Sequence, residues 1–227
     1  MGIAQQRDPL NAGFFSVRSV SVLLDIHPRT IKGWLDGYKN SKSGPMVARD
    51  FKDSVTISFL DLMELRFIEF FRSQKVSTHT IRLAAERARS EWRVEHPFAL
   101  SKAKYLTDRR RIFAQIAEES GDKPTWEMAS GQHEMWEVIE SIIAKGVEFD
   151  PNTQLALSWK PRLEFPDVVV DPKVAFGSPV IERRGVPTSV LFKQWKAEGR
   201  KSAVADWFNV SEAEVETAVD FELSIAA

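Results

Sequence analysis

Three clusters of cations stand out from the 227 residues as groups that could do chemistry. Arg29-Thr30, followed two positions on by Lys32, puts a guanidinium, a hydroxyl and an ammonium within one turn of chain. Such side chains at a helix start donate to base edges and phosphates, with Arg giving the bidentate contact to guanine. Arg183-Arg184 form a second cluster, directly before Gly185. Paired guanidiniums on a turn match carboxylates or phosphates. The third cluster is Asp108-Arg109-Arg110-Arg111. Tyr105–Thr107 and Ile112–Ile116 read as strands on either side of it, which makes the arginines a hairpin tip. Such a tip either binds phosphate or stands in water.

Groups suited to catalysis are scattered. The four histidines, His27, His79, His96 and His133, do not pair at ligand spacing, and there is no His-Glu-x-x-His, P-loop or nucleophile elbow. No enzymatic role, cofactor or metal ion is expected. The chain has no cysteine, so it has neither disulfides nor thiolate metal sites, which suits a reducing cytosol. Met1 to Asn11 lacks an apolar signal core, and no run of 18 apolar residues occurs. The expected location is cytoplasmic, without a membrane partner. Net charge is −1 overall but uneven: +4 over residues 1–92, −3 over 93–170 and −2 over 171–227. The basic share lies in the same part of the chain as Arg29 and Lys32.

The first cluster needs two helices to position it. Val17 to Leu24 repeats apolar residues on one face behind a candidate cap, Ser16. Asp25-Ile26-His27 form a turn, and Pro28 opens a second helix that runs to about Asp36. Ile31, Trp34 and Leu35 face inward, which leaves Arg29, Thr30, Lys32 and Gly33 outward. These are helix-turn-helix dimensions. A helical hairpin used only for protein contact has the same dimensions. Lys39 and Lys42 follow in a loop. Met46–Arg49 and Val55–Ser58 then read as strands around a tip at 50–53, a wing that brings Arg49 and Lys52 towards phosphate. Arg18 on the first helix completes the cationic set.

Further along, Phe59 to Gln74 is apolar on more than one face and reads as a central helix, and a second helix starts at Ser77. Residues 98–165 read as a small α+β region with a helix over 132–145 and a strand over 155–159. After a strand at Val168–Val170, Pro187-Thr188 opens the first of three helices. Ser211 and Glu214 form a capping box at the third. Tryptophans 34, 136, 195 and 207 fall at core positions of these helices. The fold class is mainly α with small β elements.

The stretch FSVRSVSVLLDIHPRTIKGWL resembles the start of MerR-like winged-helix domains, with Asp25 where those domains usually carry Gly. Residues 163–226 resemble a small antitoxin domain of originally unknown function. The resemblance is carried by Asp171-Pro172, Phe176-Gly177, Pro179, Ile181, Arg183 and Gly185-Val186-Pro187-Thr188, with Glu182 standing where Gly is frequent. Together the two stretches look like a subset of VapB-type antitoxins. The resemblance implies a DNA-binding unit at 14–95, a connector at 98–162 and an antitoxin unit at 163–226. It implies a homodimer that binds operator DNA and neutralises a PIN-domain ribonuclease toxin. Such toxins hold Mg²⁺ among carboxylates, and Arg183 and Arg184 are the candidates to pair with them. Glu212, Glu214 and Glu216 would repel phosphate, so DNA reading is assigned to the N-terminal pair. Two alternatives remain open. One is a ligand-responsive MerR-like regulator with a pocket lined by Trp126, Trp136 and Trp159. The other is an adaptor that binds only proteins.

Overall fold

The computed structural model describes residues 12–38, 44–52, 55–130, 141–142 and 144–226. Among these the chain is mainly helical with two small antiparallel sheets. Helix α1 is Val17–Leu24 and α2 is Pro28–Asp36. Helices α3 (Phe59–Ser73) and α4 (Thr78–Trp92) follow. A 3-10 turn, Pro97–Ala99, leads to α5 (Lys102–Ser120) and α6 (Lys123–Ser130). Strands β1 (Val147–Phe149) and β2 (Ala156–Trp159) pair with each other. Strands β3 (Val168–Val169), β4 (Val180–Ile181) and β5 (Val186–Pro187) form the second sheet in that order. Helices α7 (Thr188–Glu198), α8 (Lys201–Phe208) and α9 (Glu212–Ala226) close the chain. No described helix is long and apolar enough to cross a membrane.

Helix α3 is the centre of the molecule. Ser58 caps it, accepting from the Asp61 N–H at 3.0 Å, while Asp61 accepts from the Ser58 N–H at 3.1 Å. Beyond that cap its side chains enter the core on almost every side, with Leu62, Leu65, Phe67, Ile68 and Phe71 all at 0% exposure. Phe67 stacks on Phe98 at 4.1 Å and on Phe71 at 4.5 Å, and Phe71 stacks on Phe113 of α5 at 4.8 Å. Each such ring contributes about 1.5–3 kcal/mol by leaving water. One continuous apolar cluster runs from Phe15 to Phe221, so α1–α2 and α7–α9 rest on a shared core. Single β-bridges help join the parts: Phe15 with Ile57, Leu100 with Leu155, and Trp159 with Val170.

The expected hairpin over 105–116 is instead helix α5. Tyr, Thr, Ile and Phe favour strands locally, but Ile112, Phe113, Ile116 and Ala117 fall on one helical face and all are buried. The arginines are therefore not a turn. Arg109 is buried and donates to the carbonyls of Pro97 and Leu100 at 3.2 and 2.6 Å. Arg110 donates to the Ala129 carbonyl at 2.8 Å, and Arg111 pairs with Glu91. These guanidiniums hold α5 against its neighbours, in place of the expected hairpin tip that would bind phosphate or stand in water.

The expected wing strands also differ. Among the described residues Met46–Arg49 and Val55–Ser58 do not pair. Met46 and Val47 are both buried, which breaks the alternation of a strand, and the Met46 N–H donates to the Trp34 carbonyl at 2.8 Å. Ile57 bridges Phe15 instead. Most of the helix expected over 132–145 lies outside the described residues. Trp34 is buried as expected, but Trp207 is 60% exposed.

Candidate nucleic-acid interface and arginine turn

The helix pair is set by three local devices. Ser16 and Ser19 cap α1 reciprocally. Asp25 adopts the left-handed conformation at φ 54°, ψ 44°, filling the turn position where a Gly costs least. The His27 ring accepts from the Arg29 N–H at 3.2 Å, and Pro28 supplies the first helical residue. Val20 and Leu23 of α1 and Ile31, Trp34 and Leu35 of α2 are buried.

That inward face leaves Arg18, Arg29 and Lys32 exposed and Thr30 half-buried. Gly33, expected outward, is covered: a Cβ there would run into the ring of Tyr38. The exposed face of α2 therefore carries a tyrosine beside its cations, a contact that helical spacing does not reveal. Lys39 and Lys42 lie outside the described residues.

Arg49 and Lys52 have separate fates. The mostly buried Arg49 guanidinium pairs with Asp36 at 3.1 Å and donates to the Thr56 carbonyl at 2.7 Å. Lys52 is exposed and lines a groove with Lys32 between α2 and the 45–52 segment. Arg49 therefore ties that segment to the end of α2, while Lys32 and Lys52 edge the opening.

A buried polar joint fixes the same segment from behind. His96 Nε2 lies 2.9 Å from Asp50, and Nδ1 lies 3.9 Å from Asp61 and 4.0 Å from Glu64. Arg89 pairs with Glu64 at 3.2 Å and donates to the Met46 and Glu95 carbonyls. Burial opposes charge on His96, but its hydrogen bond to Asp50 and the negative Glu64, Asp50 and Asp61 outweigh this and raise its pKa. Burial is the main cause of the raised pKa values of Asp61 and Glu64. Asp50, Glu95 and His96 also bring one ligand atom each within 4.8 Å of one another. The 2.9 Å contact between His96 Nε2 and Asp50 already joins two of these three residues into a polar joint behind the segment. This joint unites residues far apart in the sequence, and no pattern in it pointed to them.

At the other end, Arg183 and Arg184 are exposed in the turn between β4 and β5. The turn closes through the Arg184 and Gly185 N–H groups, which donate to the Ile181 carbonyl at 3.0 and 2.8 Å, with Gly185 at φ +67°. Glu182 turns to Lys160, 2.8 Å away. Glu214 caps α9 through Ser211. Its pKa is lowered mainly by the Ser211 N–H, with smaller contributions from the Ser211 hydroxyl, Arg184 and Arg183. An aromatic series links the two ends of the chain. Phe51 stacks on Phe14 at 5.5 Å, and Phe14 meets Phe176 edge-on at 5.8 Å. Phe176 is 60% exposed and left-handed, and its carbonyl accepts from the Phe14 N–H. This joint was not legible in sequence.

Comparison with known proteins bears on both ends. Residues 168–221, from β3 into α9, match the family described as "Protein of unknown function (DUF433)". The chain is 22% identical to a candidate antitoxin, VapB45, of Mycobacterium tuberculosis, over 91% of this chain and 92% of that protein. It also superposes on the crystal structure of Rv2018 from Mycobacterium tuberculosis with a TM-score of 0.68 at 22% identity, covering 94% of this chain and 98% of that one. The two share a fold.

Of the tryptophans that the ligand-responsive alternative places around a pocket, Trp126, Trp136 and Trp159, the two described ones line different openings. Trp159 is buried beneath α3, whereas Trp126 is 46% exposed on α6 beside the α5–α6 turn. Trp136 lies outside the described residues.

Proposed function

We propose that the chain is a non-enzymatic antitoxin that neutralises a PIN-domain ribonuclease and represses its own operon by binding operator DNA. The observation that carries this reading is the near full-length likeness to a candidate antitoxin. Two features support its two halves: a helix pair with an exposed cationic face and a separate turn with two exposed arginines.

In this reading 14–95 binds DNA, 98–162 connects and 163–226 meets the toxin. Arg29 and Thr30 at the start of α2 face base edges, and Arg18, Lys32 and Lys52 face phosphates. Lys39 and Lys42 belong to the same cationic set. Arg49 serves it by holding the 45–52 segment against Asp36. A homodimer presents two such helices to half-sites about one helical turn apart. Arg183 and Arg184 pair with the carboxylates that hold Mg²⁺ in the toxin and displace the metal. This places the complex in the cytoplasm, where operon and toxin are made.

The test is co-expression with the product of the neighbouring reading frame. Growth rescue with a co-purifying complex is the expected result. A toxic neighbour that is neither bound nor rescued overturns the proposal.

A further inference from the structure

Leu23 and Leu24 of α1 form one wall of a cavity of about 340 Å³. Phe70 of α3 and Leu163 in the loop after β2 are further apolar walls, and Trp159 forms part of the base. This volume is at the small end of the range for ligand sites, about 300–1,000 Å³.

The charge around it is one-sided. Among the described lining residues Arg66, Lys145, Lys160 and Arg162 stand against a single acid, Glu69. Lys160 is taken by Glu182 and the Pro166 carbonyl. The Arg66 guanidinium lies 5.3 Å over the Trp159 ring and donates to the Lys145 carbonyl at 3.3 Å. Burial draws its pKa down to about 10, so it keeps its charge at neutral pH in a partly desolvated wall. A guanidinium held there has a stronger field than one in water. Glu69 is pushed towards its neutral form chiefly by burial, with Arg72 opposing and Asp25 adding to the shift.

We propose that this cavity binds a small organic anion, one carboxylate on an apolar body. The head lies between Arg66 and Arg162, and the body lies against Leu24, Phe70 and Leu163. An occupant there packs on the last turn of α1 and so bears on the helix pair. The site stands independently of the antitoxin reading.

The experiment is calorimetric titration of the full-length protein with octanoate, with acetate and octan-1-ol as controls for head and body alone. Saturable octanoate binding, one per chain, is expected, with octan-1-ol at least about tenfold weaker and acetate silent. Arg66→Met removes the buried cation but also disturbs Trp159. Arg162→Gln, a half-buried position at the rim, tests the charge without that packing change and is expected to weaken binding about tenfold. No saturable octanoate binding, equal binding of octan-1-ol, or Arg162→Gln without effect overturns the proposal.

Discussion

The ring of Tyr38 occupies the space that a Cβ on Gly33 would need, so one tyrosine lies over the exposed face of α2. Gly33→Ala puts the two in conflict at the far end of a mobile side chain. Ala also gains up to about 1 kcal/mol of helix propensity over Gly. The expected outcome is a thermal midpoint equal to or above the wild type together with weaker operator binding as Tyr38 leaves the face. Unchanged operator affinity would remove Tyr38 from the interface.

Arg29 and Lys52 are assigned different tasks, and substitution separates them. Arg29→Ala is expected to cost about 1–3 kcal/mol on operator DNA and much less on random sequence. Lys52→Ala is expected to weaken both equally and to reduce the salt slope by about 1. Fluorescence anisotropy on the two DNAs at several salt concentrations checks both. Equal losses for Arg29→Ala on both DNAs reduce Arg29 to a phosphate contact.

Arg49 is expected to act through structure. Arg49→Ala removes the hydrogen bond to the Thr56 carbonyl and the pair with Asp36. The expected loss is about 1 kcal/mol of unfolding free energy, read by urea denaturation, alongside weaker DNA binding. Weaker DNA binding without any loss of stability would make Arg49 a direct contact.

His96 gives the protein a pH signature. The unfolded imidazole releases its proton near its model value of 6.5, whereas the folded one, with its pKa raised, retains it. This contribution to stability is complete below about pH 6.5 and is lost as pH rises through the folded value. The raised pKa values of Asp61 and Glu64 act in the same sense, with a contribution complete below their model values of 3.8 and 4.5 and lost as pH rises through the folded values. Urea midpoints measured from about pH 6 to about pH 9 should fall in the wild type and fall less in His96→Gln. A midpoint that rises with pH contradicts a raised His96 pKa.

What the sequence disclosed follows from how local each signal is. The Ser16 cap, Pro28 and the Ser211–Glu214 box act within one helical turn, and α1, α2 and α9 begin within a residue of where those residues put them. The α5 helix was misread because strand-favouring Tyr105, Thr107 and Ile112 compete with a helical apolar face that only packing on α3 and α4 decides. The fates of charged side chains were less visible still. Arg109 and Arg111 are neighbours but one, yet one is buried on carbonyls and the other stands in water beside Glu91. The Tyr38–Gly33 and Phe14–Phe176 contacts depend on loop paths that no periodicity encodes.

The most direct measurement of the central claim is RNA cleavage by the purified neighbouring gene product, titrated with this protein and with its Arg183→Glu, Arg184→Glu double variant. The account predicts that cleavage stops at a fixed stoichiometry with the wild type and persists with the double variant. Cleavage that continues in excess wild-type protein would contradict it.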